Sequence, residues 1–246
     1  MKISALFSDY DGTLAPEDVS LEASTMPKEI GDSLLRLSAS LPVAIVTSKD
    51  HDFIRPRTPF ARAWACVSGL EIVLSDGRTF ATSKPGGRLQ EGLKQAMRKD
   101  GPGLTFERKR STTKDLLAFS IDWRKAPTPP SSFIESATAE LTRIGLTVVY
   151  DPTRPYLDVF SVRPDKGRAV RELRRLLPVS GNVLFLGDSI SDNPAFEESD
   201  VSICVAHGQS LEDVRSGYVL RQDELSGFLR TLADSRSLDL AALKRK

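Results

Sequence analysis

The chain has 246 residues, 40% hydrophobic and 27% charged, the balance of a soluble globular protein long enough for one large core or two smaller ones. Its 34 Lys and Arg against 33 Asp and Glu leave a formal net charge of +1, so no broad field draws it to nucleic acid or an anionic membrane, and any anion must be bound locally. The N-terminus carries one Lys and an apolar stretch too short for a signal-peptide core, and no window approaches a membrane span, so a cytoplasmic protein is expected.

In chain order, ISALFSD (3–9) reads as an apolar strand, PKEIGDSLLRLSASL (27–41) as an amphipathic helix and LPVAIVTS (41–48) as a second strand. WACVSGLEIVLSDGRTFATS (64–83) reads as two strands around Ser75-Asp76-Gly77, since Asp-Gly is a hairpin signal. From Lys84 to Arg154 the pattern changes to helix (RLQEGLKQAMRKD), strand (TFERKR), strand (DLLAFSIDW), helix (SSFIESATAELTRIG) and strand (LTVVYD), flanked by KPGGR and DPTRP. This reads as an α+β domain inserted on two short hinges. YLDVFSV (156–162) then resumes the core strands, followed by a helix (KGRAVRELRRLL), a strand (NVLFLGD), helical patterns in SLEDVRSGYVL and ELSGFLRTLAD, and LAALKRK as a fraying basic helix end. Continuous apolar runs suit strands buried on both faces of a parallel sheet. The expected fold class is α/β, a Rossmann-like parallel-sheet core wound in right-handed crossovers, with ligands at the carboxyl ends of the strands. The cysteines, Cys66 and Cys204, stand far apart in apolar contexts and read as buried reduced thiols.

The chemistry concentrates where these strands end. Asp9 and Asp11 follow the first apolar run, and Gly12 allows a sharp turn after them. A polar turn is one explanation. The other is a nucleophile: a carboxylate at a strand end can attack phosphorus, and a second acid two residues on, pointing to the same side, can protonate the leaving oxygen and then deprotonate water. Two acids beside a phosphate require a cation, and FLGDSISDNPAF supplies two further acids, Asp188 and Asp192, after another apolar strand. All-oxygen coordination of this kind suits Mg²⁺. The two histidines, His51 and His207, lie in no such cluster in the sequence. Thr47 and Ser48 end the second strand, where hydroxyl and backbone N–H groups can hold a phosphate oxygen, and Lys166 begins a helix from which it can neutralise phosphate or hold the Asp9 and Asp192 carboxylates.

Together these stretches resemble the four motifs of the haloacid dehalogenase superfamily of phosphohydrolases: DxDGT at 9–13, the hydroxyl residues at 47–48, Lys166, and GDxxxD at 187–192. The resemblance implies a core of residues 1–83 and 157–246 with an α/β cap over 84–156. It further implies Asp9 as nucleophile, Asp11 as general acid/base, Thr47 as the phosphate-binding hydroxyl and Lys166 as the charge clamp. The implied Mg²⁺ ligands are Asp9, the Asp11 backbone carbonyl and Asp188, with Asp192 in or near them. DYDGTLAP, VSGLEIVLSDG and PDKGRAV look most like trehalose-6-phosphate phosphatases, which points to a phosphorylated small-molecule sugar as substrate, with a monomer as the working expectation. On that resemblance Ser48, Glu71, Glu107, Lys109 or Lys114, and Arg124 are substrate-binding candidates. The chain departs from that pattern at Asp122, where a His would stand, and at Lys49-Asp50, where Gly-Arg is usual. Phosphatases of glucosyl- or mannosyl-3-phosphoglycerate, sucrose 6-phosphate or hexose phosphates, a phosphomutase, and a non-catalytic binding module remain alternatives.

Overall fold

The N-terminal apolar run sits at the centre of a sheet. In the computed structural model, which describes residues 1–17, 19, 22–81, 87–98, 101–126, 131–152 and 154–246, the chain divides into two units, Met1–Phe80 with Asp165–Lys246, and Ala81–Pro164. The first unit opens with β1 (Ile3–Ser8), α1 (Lys28–Ser38), β2 (Val43–Val46), α2 (His51–Ile54), β3 (Ala63–Cys66), β4 (Glu71–Leu74) and β5 (Thr79–Ala81). The second holds α3 (Gly87–Arg98), β6 (Thr105–Arg110), β7 (Leu116–Asp122), α4 (Ser131–Arg143), β8 (Thr147–Tyr150) and β9 (Tyr156–Phe160). The first unit then resumes with α5 (Lys166–Leu176), β10 (Asn182–Gly187), α6 (Asn193–Glu197), β11 (Val201–Ala206), β12 (Tyr218–Arg221), α7 (Leu225–Ser235) and β13 (Lys244–Arg245).

The first unit is built on a 9-stranded sheet in the order β13-β12-β11-β10-β1-β2-β3-β4-β5. From β12 to β3 the pairings are parallel, and the order reverses on either side of β1. Phe7 lies opposite Phe185 on one side and Ala44 on the other, and all three are fully buried. That burial explains the nearly continuous apolar runs of β1, β2 and β10. On one face Ala169, Val170 and Leu173 of α5 pack with Ala5, Phe7, Val46, Val183 and Phe185. Asp165 caps α5, its side chain accepting from the Arg168 N–H at 3.0 Å, which fixes where Lys166 emerges. In α1, Ile30, Ser33, Leu34 and Leu37 are buried at helical spacing.

The second unit is a 4-stranded antiparallel sheet ordered β6-β7-β9-β8. Leu89, Leu93 and Ala96 of α3 and Ile134, Ala137 and Leu141 of α4 cover one face, packing on Phe119, Ile121, Leu157 and Val159. The intervening residues, among them Ser120 and Asp158, alternate to the other face. None of the described helices is long and apolar enough to cross a membrane.

Several elements differ from the sequence expectation. YLDVFSV is not a strand of the parallel sheet: β9 pairs antiparallel with β7 and β8. Asp158 sits mid-strand, and a strand buried on both faces would leave that carboxylate without water, whereas a one-faced sheet tolerates the alternation. SLEDVRSGYVL is not helical; it is turn and loop leading to β12, where Tyr218, Val219 and Leu220 pair with β11 after Ser216-Gly217 breaks the helical pattern. LAALKRK forms a short 3₁₀ turn at Leu240–Ala242 and then β13, antiparallel to β12, whose open edge offers the backbone partners a fraying helix end would lack. WACVSGLEIVL is itself split by a turn at Val67–Gly69, so the hairpin at 75–78 joins β4 to β5 while β3 precedes both. The hinge expected at KPGGR lies mostly outside the described residues, as does Thr153 of DPTRP.

Candidate active site

The ladder of β1 runs on past Ser8, for the Asp9 N–H donates to the Leu186 carbonyl of β10 at 2.8 Å. This pins Asp9 at the carboxyl edge of the sheet, where its side chain is 9% exposed. Its Oδ1 accepts from the Tyr10 N–H at 2.7 Å, and its Oδ2 lies 2.8 Å from Lys166 Nζ. The same ammonium donates to Asp192 Oδ1 at 2.7 Å. The other oxygen of Asp192 accepts from the N–H groups of Asp188 and Ser189, at 3.1 and 3.2 Å. Asp192 therefore ties the turn after β10 to the first residue of α5, with both its oxygens engaged.

Burial pushes the Asp9 carboxyl well above its ordinary value; Lys166 pulls it back, while Asp192 and Asp188 push it further up. Burial likewise raises Asp192, again opposed by Lys166. For Lys166 burial alone would lower the ammonium, but Asp192 and Asp9 outweigh it and hold the group above its ordinary value, so it stays protonated. One carboxylate oxygen each from Asp9, Asp188 and Asp192 lie within 4.8 Å of one another, and all three residues are buried. One ammonium does not balance three buried carboxylates.

Asp11 faces a different partner: its Oδ1 accepts from Ser24 Oγ at 2.8 Å, and its side chain is half-buried outside the three-carboxylate cluster. Gly12, at φ +76°, turns the chain back so that its N–H reaches the Ala15 carbonyl at 2.8 Å. A Cβ there would stand 2.5 Å from Asp188 Oδ2, so both the backbone conformation and the space require glycine. Thr47 is buried at the end of β2; its Oγ1 accepts from the Lys49 N–H at 3.2 Å, leaving its O–H to donate elsewhere, and Ser48 beside it is half-buried. Asp50, in the stretch that departs from Gly-Arg, caps α2 through the Phe53 N–H at 3.1 Å. Glu71 is 2% exposed, opposite Cys66 at the start of β4.

In the second unit the candidates separate. Lys109 is buried and pairs with Asp158 at 2.7 Å, while Ser120 Oγ donates to the same Asp158 oxygen at 2.5 Å. Glu107 shares a sheet row with Ser120 and Asp158. Arg124 pairs with Asp122 at 3.1 Å and lies over the Tyr156 ring at 5.7 Å. Lys114 is exposed on the turn joining β6 to β7, at φ +70°. Asp158 and Ser120 were not candidates in the sequence; a carboxylate within an otherwise apolar strand was the available signal.

His207 was also missed, and the statement that neither histidine joins an acidic cluster is corrected by the structure. His207 Nε2 is 3.4 Å from Asp188 Oδ2, and Glu17 joins them in a second group of donor atoms within 4.8 Å of one another. The signal was VSICVA, an apolar run like that of β10, which predicts another strand ending at the same edge.

No family model matches the chain. It is 27% identical over 225 residues to an uncharacterized glycosyl hydrolase of Mycobacterium tuberculosis, covering 83% of this chain but 16% of that protein. It is also 27% identical over 210 residues to the trehalose-phosphate phosphatase of the same organism, covering 78% of this chain and 50% of that enzyme. The chain thus spans half or less of the length of these relatives. Among solved structures it resembles a trehalose-6-phosphate phosphatase related protein (TM-score 0.73, 21% identity, covering 94% of this chain and 97% of that one). The C-terminal domain of the Candida albicans trehalose-6-phosphate phosphatase is similar (TM-score 0.75, 17% identity, 95% and 92% covered). So is a haloacid dehalogenase-like hydrolase from Bacteroides thetaiotaomicron (TM-score 0.72, 13% identity, 94% and 100% covered). The chain has the haloacid dehalogenase fold. Its parallel-sheet core and separate antiparallel sheet are those of this fold with a cap domain.

Proposed function

We propose that this chain is a Mg²⁺-dependent phosphomonoester hydrolase of phosphorylated sugars, with trehalose 6-phosphate its foremost substrate and Asp9 its phosphoryl carrier. The observation that carries the reading is the Asp9 carboxylate, fixed at the strand edge by the Tyr10 N–H and Lys166 and faced by Asp188 and Asp192. The acid excess fits a divalent cation: Asp9 and Asp188 would hold it, with the Asp11 carbonyl, while Asp192 serves chiefly to brace Lys166 and the β10 turn. When bound, the ion supplies positive charge that lets phosphate approach the carboxylates.

The residues then divide the reaction. An Asp9 oxygen forms a bond to phosphorus as the bond from phosphorus to the sugar oxygen breaks. Asp11, oriented by Ser24, gives its proton to that leaving oxygen. In the second half Asp11 takes a proton from water, the water oxygen bonds to phosphorus, and the bond to Asp9 breaks, releasing phosphate and restoring both carboxyls. The Thr47 hydroxyl, whose lone pair is taken by the Lys49 N–H, donates to a phosphate oxygen, and Lys166 offsets the anionic charge. Substrate selection is assigned to the second unit as a cap, with Glu107, Lys109 and Arg124 the residues concerned and Asp158 the partner that holds Lys109.

Asp122 in place of His favours testing other sugars alongside. Phosphate release is measured from trehalose 6-phosphate, sucrose 6-phosphate, glucosyl-3-phosphoglycerate and hexose 6-phosphates, with Mg²⁺ and with a chelator. Mg²⁺-dependent release with preference for trehalose 6-phosphate is expected. Preference for another sugar phosphate corrects the substrate, and release from none of them overturns the reading.

A further inference from the structure

Beside the three-carboxylate cluster lies a second set of contacts, built around a buried hydroxyl. Ser24 Oγ donates to Asp11 Oδ1 at 2.8 Å, and Ser24 itself is 3% exposed. Its backbone carbonyl takes two donors, Tyr10 Oη at 3.1 Å and Arg57 Nε at 3.2 Å. Arg57 ends the 3₁₀ turn Arg55–Arg57 that follows α2, and it is itself held in place. Its Nη1 donates to the Phe53 carbonyl at 2.9 Å, and its guanidinium lies 3.9 Å from the centroid of the Phe53 ring. That ring meets Tyr10 edge-on at 6.4 Å. Tyr10 and Arg57 therefore close on one carbonyl from two separate segments. Among the described residues the Ser24 hydroxyl is the one hydrogen-bond partner of the Asp11 carboxylate, and it leaves Oδ2 for other work.

We propose that Arg57 is a positioning residue for proton transfer, acting through Ser24: by fixing the Ser24 carbonyl it aims the hydroxyl at Asp11 Oδ1 and so keeps the proton of the acid form on Oδ2. This rests on the reading of Asp11 as the acid/base. A carboxyl group that accepts on one oxygen carries its proton on the other. As the bond from phosphorus to the sugar oxygen breaks, the Oδ2 proton passes to that oxygen; in the second half a water proton returns to Oδ2. The Ser24 bond to Oδ1 is kept throughout, so the carboxyl does not turn between the two halves. Without the hydroxyl, or with the hydroxyl unanchored, the carboxyl turns freely and the proton is misplaced for part of the time. Such a loss falls on leaving groups that need a proton. A purely structural role for Arg57 would weaken the reaction of every phosphate ester alike, so leaving-group dependence separates the two.

The test compares kcat/KM, which reports the steps up to cleavage of the ester, for two substrates with Mg²⁺ present. One is trehalose 6-phosphate, or the sugar phosphate of the panel above that the wild type hydrolyses fastest; the other is 4-nitrophenyl phosphate, whose leaving group departs without a proton. The variants are Ser24→Ala, Arg57→Met, their double, and Asp11→Asn. Thermal melting verifies the fold of each, and Tyr10→Phe, which removes one donor to the same carbonyl, stands in for any variant that does not fold. Ser24→Ala and Arg57→Met are expected to lower kcat/KM for the sugar phosphate by roughly 10–100-fold, with a much smaller loss on 4-nitrophenyl phosphate. The double variant should lose no more than Ser24→Ala alone, because both act on one contact. Equal losses of Arg57→Met on the two substrates, or losses that multiply in the double variant, overturn the inference while Asp11 stands as the acid. Equal losses of Asp11→Asn on the two substrates overturn the reading of Asp11 itself, and no release by the wild type from any sugar phosphate overturns both.

Discussion

Replacing Lys166 by Met tests the electrostatic bracket directly. The Lys166 side chain is 4% exposed, and its ammonium contacts Asp9 at 2.8 Å and Asp192 at 2.7 Å. Met fills similar volume, so the loss is one of charge: two buried carboxylates lose their shared partner. Removing one member of a buried ion pair costs about 3–5 kcal/mol, and for a chain of this size each kcal/mol moves the melting temperature by about 2–4 °C, giving a fall of roughly 6–20 °C. The cost depends on pH in a definite direction. The folded values of Asp9 and Asp192 are already raised by burial, and losing Lys166 removes the influence that lowers them. Groups raised in the fold contribute stability that is complete at low pH and is lost as pH rises through their folded values. The variant should therefore lose most near neutral pH and much less toward pH ~4. Urea or thermal denaturation of wild type and Lys166→Met in chelator, at both pH values, measures this. A difference below about 1 kcal/mol at neutral pH, the size of an exposed pair, would refute the bracket, as would equal costs at both pH values.

Other consequences follow from residues away from this pair. Cys66 and Cys204 are buried, burial pushing the first well above its ordinary value and the second up to about 12, so both resist alkylation in the folded protein at mildly alkaline pH and react once it is unfolded in urea; rapid native labelling, read by mass spectrometry, would contradict the burial. Because these folded values are raised, the thiols' contribution to stability is complete below the ordinary value and falls only as pH climbs toward about 12. Thr58→Val strands the buried Trp64 Nε1–H, which now donates to Thr58 Oγ1 at 2.8 Å, at a cost of about 1–3 kcal/mol in urea denaturation followed by Trp fluorescence; a neutral substitution would show that the indole has another acceptor. In the second unit Asp158→Asn leaves Lys109 buried without its carboxylate and should cost about 3–5 kcal/mol, while the double change Lys109→Met, Asp158→Leu should cost less than the single one. A double variant weaker than Asp158→Asn would contradict that bookkeeping.

The sheet was legible because β1, β2 and β10 are buried on both faces and are almost wholly apolar, Ser4 near the start of β1 being half-buried. Helix α5 was equally plain, with Asp165 capping it and Ala169, Val170 and Leu173 at helical spacing. What sequence pattern could not show was partner choice. Strand β9 has the length and apolarity of a core strand, and only its pairing with β7 and β8 places it in the other sheet, with Asp158 at mid-strand the one internal hint. Likewise β12 and β13 depend on an open edge beside β11, a property of the assembled sheet rather than of YVLR or LKRK. At the site, Asp9, Asp188 and Asp192 announce themselves because each follows an apolar run or shares its turn. The contact of Lys166 with two of them is set by the register between α5 and β10, and that of His207 by a strand end whose neighbour is not adjacent in sequence.

The central claim is that Asp9 carries the phosphoryl group. The direct measurement is to mix enzyme and Mg²⁺ with a sugar phosphate that it hydrolyses, quench in acid within a turnover, and locate any added phosphoryl group by peptide mass spectrometry. The account predicts the label on the peptide containing Asp9, sensitive to hydroxylamine as an acyl phosphate is, and neither label nor phosphate release in Asp9→Asn. Phosphate release at wild-type rate by Asp9→Asn, or a label on any other residue, would contradict it.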